Sequence, residues 1–206
     1  MNNARTIITS ITALVLLTAT LAACGLGPSP PGRFYVLSSP PDLVSKKPQE
    51  KAGQELVIGV GPVELPAHLD RTQIVTQASQ YRLVLKDLDQ WAEPLKEGFT
   101  RVLAQNLSRL LNTNQIVRFP WRRPFTVQVQ VTVEVLRFDT DAVGESVLAA
   151  RWNILDGDGG KLLYSRTSTY RDQASGTGVE PIIAAMSRNL VELSREIAVS
   201  VLALSR

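Results

Sequence analysis

Between Phe125 and Val135 the chain alternates without a break. Phe125, Val127, Val129, Val131, Val133 and Val135 are separated by Thr126, Gln128, Gln130, Thr132 and Glu134. A period of two belongs to a β-strand, whose successive side chains point to opposite faces. One face of the sheet holding this strand must therefore be apolar and covered, while the other meets water or a partner. The rest of the chain has to supply that cover.

Two segments have the period to do so. After Pro94, a residue suited to a first helical turn, Leu95, Phe99, Val102, Leu103, Leu107, Leu110 and Leu111 fall on one face of a 3.6-residue helix. Lys96, Glu97, Arg101, Gln105, Ser108 and Arg109 fall outside that stripe, and Asn112 to Asn114 ends it. The second segment runs from about Pro181 to the C-terminus, with Ile183, Met186, Leu190, Leu193, Ile197, Val201 and Leu204 recurring at spacings of three and four. Ala198, Val199 and Leu202 widen its apolar face toward the end. That fits a helix packed on the sheet and leaves open one that also meets a partner.

Shorter runs supply the remaining strands. Arg33–Leu37 is aromatic and β-branched, and Leu56–Val63 is an apolar run stopped by Pro62. Gln73–Gln77 and Tyr81–Leu85 flank a short polar turn and predict a hairpin. A strand at Gln115–Phe119 follows the first helix. Ser146–Leu155 and Leu162–Tyr170 are joined by Asp156-Gly157-Asp158-Gly159-Gly160, a hairpin signal. The expectation is an α/β single-domain sandwich: six or seven strands in a mixed, largely antiparallel sheet, with two long amphipathic helices. Ser38–Gly53, rich in Pro, Ser and Lys, reads as an exposed loop whose Lys46, Lys47 and Lys51 are solvated or touch anionic headgroups.

The N-terminus is of another kind. Arg5 precedes an apolar run from Ile7 to Ala19, and Leu21-Ala22-Ala23-Cys24 closes it. This reads as a secretory signal, and its end resembles the bacterial lipobox. The resemblance implies removal of residues 1–23 and lipidation of Cys24. Several acyl chains at one residue make a durable anchor, where a single chain holds only marginally. Thr9, Ser10, Thr12, Thr18 and Thr20 interrupt the run, against a permanent transmembrane helix of roughly 17–25 apolar residues. Gly25 follows the cysteine where inner-membrane lipoproteins carry Asp, which implies the outer membrane, facing the periplasm. Residues 24–32 form a Pro-rich tether; the eight from Gly25 to Gly32 reach about 25 Å when extended. Residues 33–206 are the domain.

Candidate chemistry is sparse. Cys24 is the only cysteine, so no disulfide framework exists. The net charge of +3 comes from scattered arginines without interleaved aromatics, which argues against nucleic acid. His68, the single histidine, stands near Asp70 and has a general base's chemistry, but no Gly-x-Ser-x-Gly elbow or similar nucleophile motif accompanies it. Asp156 and Asp158 resemble half of a calcium loop whose remaining ligands are missing, Thr167 standing where the last glutamate belongs. Asp87, Asp89 and Glu93 read as a strand-exit loop leading to a helix start, where acids favour the dipole. Gly59 and Gly61 lack the third glycine of a dinucleotide fingerprint. No catalytic site, metal or cofactor is expected.

Phe34-Tyr35-Val36-Leu37, Ile58-Gly59-Val60-Gly61-Pro62-Val63, Leu69-Asp70-Arg71-Thr72-Gln73-Ile74-Val75-Thr76 and Asp89-Gln90-Trp91-Ala92-Glu93-Pro94-Leu95 form a recognisable series. With the lipobox, the chain resembles the PqiC/YmbA family of ABC-type transport auxiliary lipoproteins. Thr72 departs from the proline common there. The resemblance implies a non-enzymatic outer-membrane lipoprotein serving an MCE-type intermembrane phospholipid transport system. Its partners would be the periplasm-spanning MCE-domain protein and its inner-membrane components, with a ring-like homo-oligomer as one arrangement. Leu65–Gln73 and Trp91–Glu93 are then the interface candidates: Leu69, Asp70, Arg71, Gln73, Trp91 and Glu93. Arg and Trp are over-represented among interface hot spots; the alternative is that Trp91 covers the helix start and Arg71 pairs with a carboxylate. A stand-alone periplasmic lipid carrier and a hydrolase using His68 with Asp70 are the competing functions.

Overall fold

The computed structural model describes residues 30–43, 56–121, 126–157, 159–176 and 178–204. Leu21–Cys24, Lys46, Lys47, Lys51, Phe125 and Asp158 lie outside the described residues. The elements, all within the compact unit Gly32–Arg206, are β1 Arg33–Tyr35, β2 Ile58–Glu64, β3 Gln73–Ser79, β4 Arg82–Trp91, α1 Leu95–Leu111, β5 Ile116–Arg118, β6 Val129–Asp141, β7 Glu145–Asp156, β8 Leu162–Gln173 and α2 Val179–Leu204.

The alternating segment becomes β6, and the sheet is built outward from it. On one edge β7 pairs antiparallel along its whole length, from Val129↔Asp156 to Thr140↔Ser146, and β8 follows antiparallel. The other edge of β6 is shared between two strands. β2 runs parallel beside Val129–Glu134, and β3 runs parallel beside Thr140 and Asp141. Each carries a branch: β5 parallel to β2 on one side, β4 antiparallel to β3 and β1 parallel to β4 on the other. Among the described residues the sheet holds eight strands where six or seven were expected, and each of the segments read as a strand contributes one. β4 is also longer than its hydrophobic run predicts. Asp87 and Asp89 belong to this strand, not to a loop, because β1 pairs with it at Asp89–Trp91.

Alternation stops at Val135 for a local reason. The register with β7 shifts between Val135 and Arg137, so Leu136 is an extra residue and the phase reverses. Val131, Val133 and Val135 are buried before the bulge and Phe138 after it, while Leu136 faces out.

That buried face is covered by both helices. α1 packs on β2 and β5, α2 packs on β6, β7 and β8, and the two helices touch along their length. The Phe99 ring meets Phe138 edge to face with centroids 5.5 Å apart, and Trp152 packs on Tyr164 at 5.3 Å. Phe99, Leu103 and Leu107 from α1 and Leu190, Leu193 and Ile197 from α2 are all fully enclosed. α1 begins after Pro94 and ends at Asn112 in the left-handed conformation. The opposite face of β6–β8 is wet: Arg151 pairs with Glu134 at 2.8 Å, Arg171 with Glu145 at 2.6 Å, and Asn153 bridges Thr132 and Ser165.

The two glycines of β2 have steric reasons. A Cβ on Gly59 would lie 2.8 Å from the Trp121 ring, and Gly61 takes φ +114° with Phe119 2.8 Å from where a Cβ would stand.

Candidate partner interface

The Leu65–Thr72 connection carries the chain from the end of β2 to β3. It folds into a tight turn, with Leu69 N–H donating to Pro66 O at 2.9 Å and Arg71 N–H to Leu69 O at 2.9 Å. Leu69 is buried and anchors the turn from inside, which leaves His68, Asp70 and Arg71 on the outside. The far end of β4 closes against it. Trp91 N–H donates to Thr72 O at 2.7 Å, and Gln73 stands opposite Gln90.

The six interface candidates therefore gather into one region but play different parts. Trp91 is 7% exposed and belongs to the core beneath the start of α1. Glu93 is pinned by Arg101, whose Nη2 and Nε approach its Oε1 at 2.5 and 3.1 Å. The same guanidinium donates to Leu37 O at 2.9 Å, tying the chain after β1 to α1. Gln73 is half-buried, and Asp70 and Arg71 are exposed. Arg71 has no ion-pair partner among the described residues, so its charge is free to meet another surface. His68 is exposed on the same turn, and no hydrogen bond or ion pair joins it to Asp70 among the described residues.

Two polar clusters were not singled out by the sequence. Asp89, 4% exposed, accepts from Arg33 Nε at 2.6 Å, Arg33 Nη2 at 3.0 Å and Tyr35 Oη at 3.1 Å. Burial alone would raise this carboxyl, but the donors from Arg33 and Tyr35 outweigh it and hold it below the usual carboxylate value. Burial, then the bond to Asp89, pushes the Tyr35 phenol up. At the β8 end of the sheet Glu196 of α2 collects Ser168 Oγ at 2.6 Å, the Tyr170 hydroxyl and Arg166 Nε at 2.8 Å. Tyr170 is raised by burial and by that carboxylate. Strand neighbours spaced two apart (166, 168, 170) are the signal, readable only once the helix residue opposite them is known.

Beside this cluster lies a cleft of about 540 Å³ between α2, β8 and the Pro40–Leu43 segment. Four of its charged groups pair within it, Arg188 with Asp172 at 2.5 Å and Arg195 with Glu192 at 3.6 Å, while Arg171 pairs with Glu145 outside the cleft and Asp42 also lines it. Among the described residues no group of His, Cys, Asp and Glu is arranged to hold a metal ion, and no helix is long and apolar enough to cross a membrane.

Residues 35–198 match the family model described as ABC-type transport auxiliary lipoprotein component. A search of curated protein sequences finds no match. Among solved structures the chain is similar to an uncharacterized protein, with 19% identity, TM-score 0.68, and coverage of 84% of this chain and 99% of that one. It is also similar to a Xanthomonas campestris protein of the DUF330 family, with 16% identity, TM-score 0.66, and coverage of 81% and 93%. At these identities the likeness concerns the fold.

Proposed function

This chain belongs to the family of ABC-type transport auxiliary lipoprotein components, and from that membership we propose that it docks the periplasm-spanning partner of an MCE-type phospholipid transport system at the outer membrane. The family match over nearly the whole domain carries this reading. A lipoprotein family accords with Cys24 as the anchor and with a short tether that keeps the domain near its membrane. The role is one of binding, without catalysis: the chain holds the end of a conduit and supports envelope integrity, alone or as a ring of copies. The exposed turn at Asp70 and Arg71, backed by the buried Leu69 and by the Trp91 N–H bond to Thr72 O, is the surface offered to the partner.

The packing supports docking over carriage of lipid by the domain itself. The layer between helices and sheet is filled by Phe99, Phe138, Trp152 and their neighbours, which leaves an acyl chain no room there.

Affinity capture of the full-length lipoprotein from detergent-solubilised envelopes, followed by mass spectrometry, tests this. Recovery of an MCE-domain protein with its inner-membrane components is the expected result, reduced by Arg71→Glu and by Cys24→Ala. Recovery of lipid with no protein partner would overturn it in favour of a carrier.

A further inference from the structure

The β3–β4 hairpin projects beyond the body of the sheet. β3 leaves β6 after Gln77↔Asp141, and the hairpin continues to a turn at Gln80 and Tyr81. Tyr81 is 91% exposed, and Leu83, Val84 and Leu85 follow it in the open. From Thr76 to Lys86 the sequence has two cations, Arg82 and Lys86, and no acidic residue. An aromatic tip, exposed aliphatics and flanking basic groups together are the composition of a membrane-interface contact, where Tyr sits at headgroup level and Arg or Lys meets anionic lipid. The neighbouring β6–β7 turn lies at the same end of the sheet, because β3 and β6 run parallel, and it presents Val143 at 77% exposure. Its acidic residues are internally engaged: Asp141 accepts from the Val143 and Glu145 N–H groups, and Glu145 pairs with Arg171.

Strand direction says what this end faces. β1 runs parallel to β4, with Arg33 opposite Asp89 and Tyr35 opposite Trp91, so the start of β1 points toward the start of β4 and hence toward the hairpin tip. Tyr81 lies eight residues up the strand from Asp89, about 26 Å at strand spacing. The segment Gly25–Gly32 spans about 25 Å at full extension. A bilayer holding Cys24 at the end of that segment therefore lies within reach of the tip. We propose that the β3–β4 hairpin seats on the lipid leaflet that carries this chain's own anchor, with Tyr81 at the headgroup boundary and Arg82 and Lys86 on anionic headgroups. The anchor and the hairpin then make two attachments, which fix the domain's orientation as one lipidated residue on a tether does not. The inference rests on Cys24 being lipidated.

The test uses the mature lipoprotein carrying Tyr81→Cys, labelled with an environment-sensitive fluorophore and reconstituted into vesicles of phosphatidylethanolamine and phosphatidylglycerol containing nitroxide-labelled lipid. Lys161→Cys, in the β7–β8 turn at the opposite end of the sheet, is the control. A blue-shifted emission quenched by the nitroxide at position 81 and not at 161 is expected, weakened by Arg82→Glu. Equal, solvent-like emission at both positions would overturn the proposal. So would a probe at 81 that stays wet on vesicles and is shielded only when solubilised envelope protein is added, which would assign the hairpin to a protein partner. Two labels per chain would reveal a free thiol at Cys24 and overturn the inference at its anchor instead of at the hairpin.

Discussion

Arg33 and Asp89, 56 positions apart in sequence, form a two-point contact at 2.6 and 3.0 Å that locks the first strand of the domain to the fourth. The strand it secures is three residues long and sits at the sheet edge. So few ladder bonds make a weak attachment. The buried carboxylate with three donors compensates.

Because the folded state holds Asp89 below its ordinary value, the pair stabilises the protein at pH values above the carboxylate's unfolded value of about 3.9. That contribution is lost as pH falls through the lower folded value. Asp89→Asn is therefore expected to lower the urea midpoint near neutral pH, with the gap from the parent protein closing below about pH 4. Urea titrations at neutral and acidic pH check this. Added salt should weaken the effect modestly, since Arg33 is largely exposed on its outer side. A gap that widened on acidification would contradict it.

Phe99 of α1 is fully enclosed and meets Phe138, which follows the bulge of β6, edge to face. Phe99→Ala removes a large ring that the surrounding helices cannot collapse to replace. The expected loss is about 3–5 kcal/mol, read as a lower urea midpoint with an unchanged slope.

The periodic elements were the legible part of this fold. α1 runs over Leu95–Leu111, the stretch its stripe defines, because one apolar face and a proline start leave little choice. The hairpin at Gln73–Leu85 and the Asp-Gly turn before β8 follow from local patterns too. Non-local pairing was not legible. Nothing in Leu88-Asp89-Gln90 says strand until Arg33 arrives across the sheet, and nothing in Val133–Arg137 announces the bulge that reverses the phase of β6. The candidate site divided for the same reason. Sequence named Leu69, Arg71 and Trp91 as candidates from two separate stretches; the Trp91–Thr72 bond brings the stretches together, and only the packing separates the buried Leu69 and Trp91 from the exposed Arg71. The hairpin's exposed apolar residues look like ordinary strand core in sequence; no helix comes to cover them.

Asn106 of α1 is buried where the helices touch. Its Nδ2 donates to Ser194 Oγ at 3.0 Å, and that hydroxyl in turn donates to Leu190 O at 2.6 Å. Asn106 Oδ1 has no partner among the described residues. An unmet buried acceptor costs about 1–3 kcal/mol, and Ser194 keeps its bond to Leu190 without Asn106. Asn106→Leu, of similar volume, is expected to hold or raise stability by about 1 kcal/mol, and a thermal melt would show it. A large drop would instead assign the amide a role in setting the helix register.

Arg71 and Trp91 separate docking from folding. Arg71 is exposed and unpaired among the described residues, so Arg71→Glu should move stability by no more than about 0.5 kcal/mol while reversing the charge on the turn. Trp91 is in the core, and Trp91→Ala should cost about 3–5 kcal/mol of stability. Loss of partner capture with Trp91→Ala alone would therefore mean only that the domain has unfolded. Loss with Arg71→Glu, in a protein whose urea midpoint is unchanged, locates the docking surface at the Leu65–Thr72 turn. Full capture by Arg71→Glu would move that surface elsewhere on the domain.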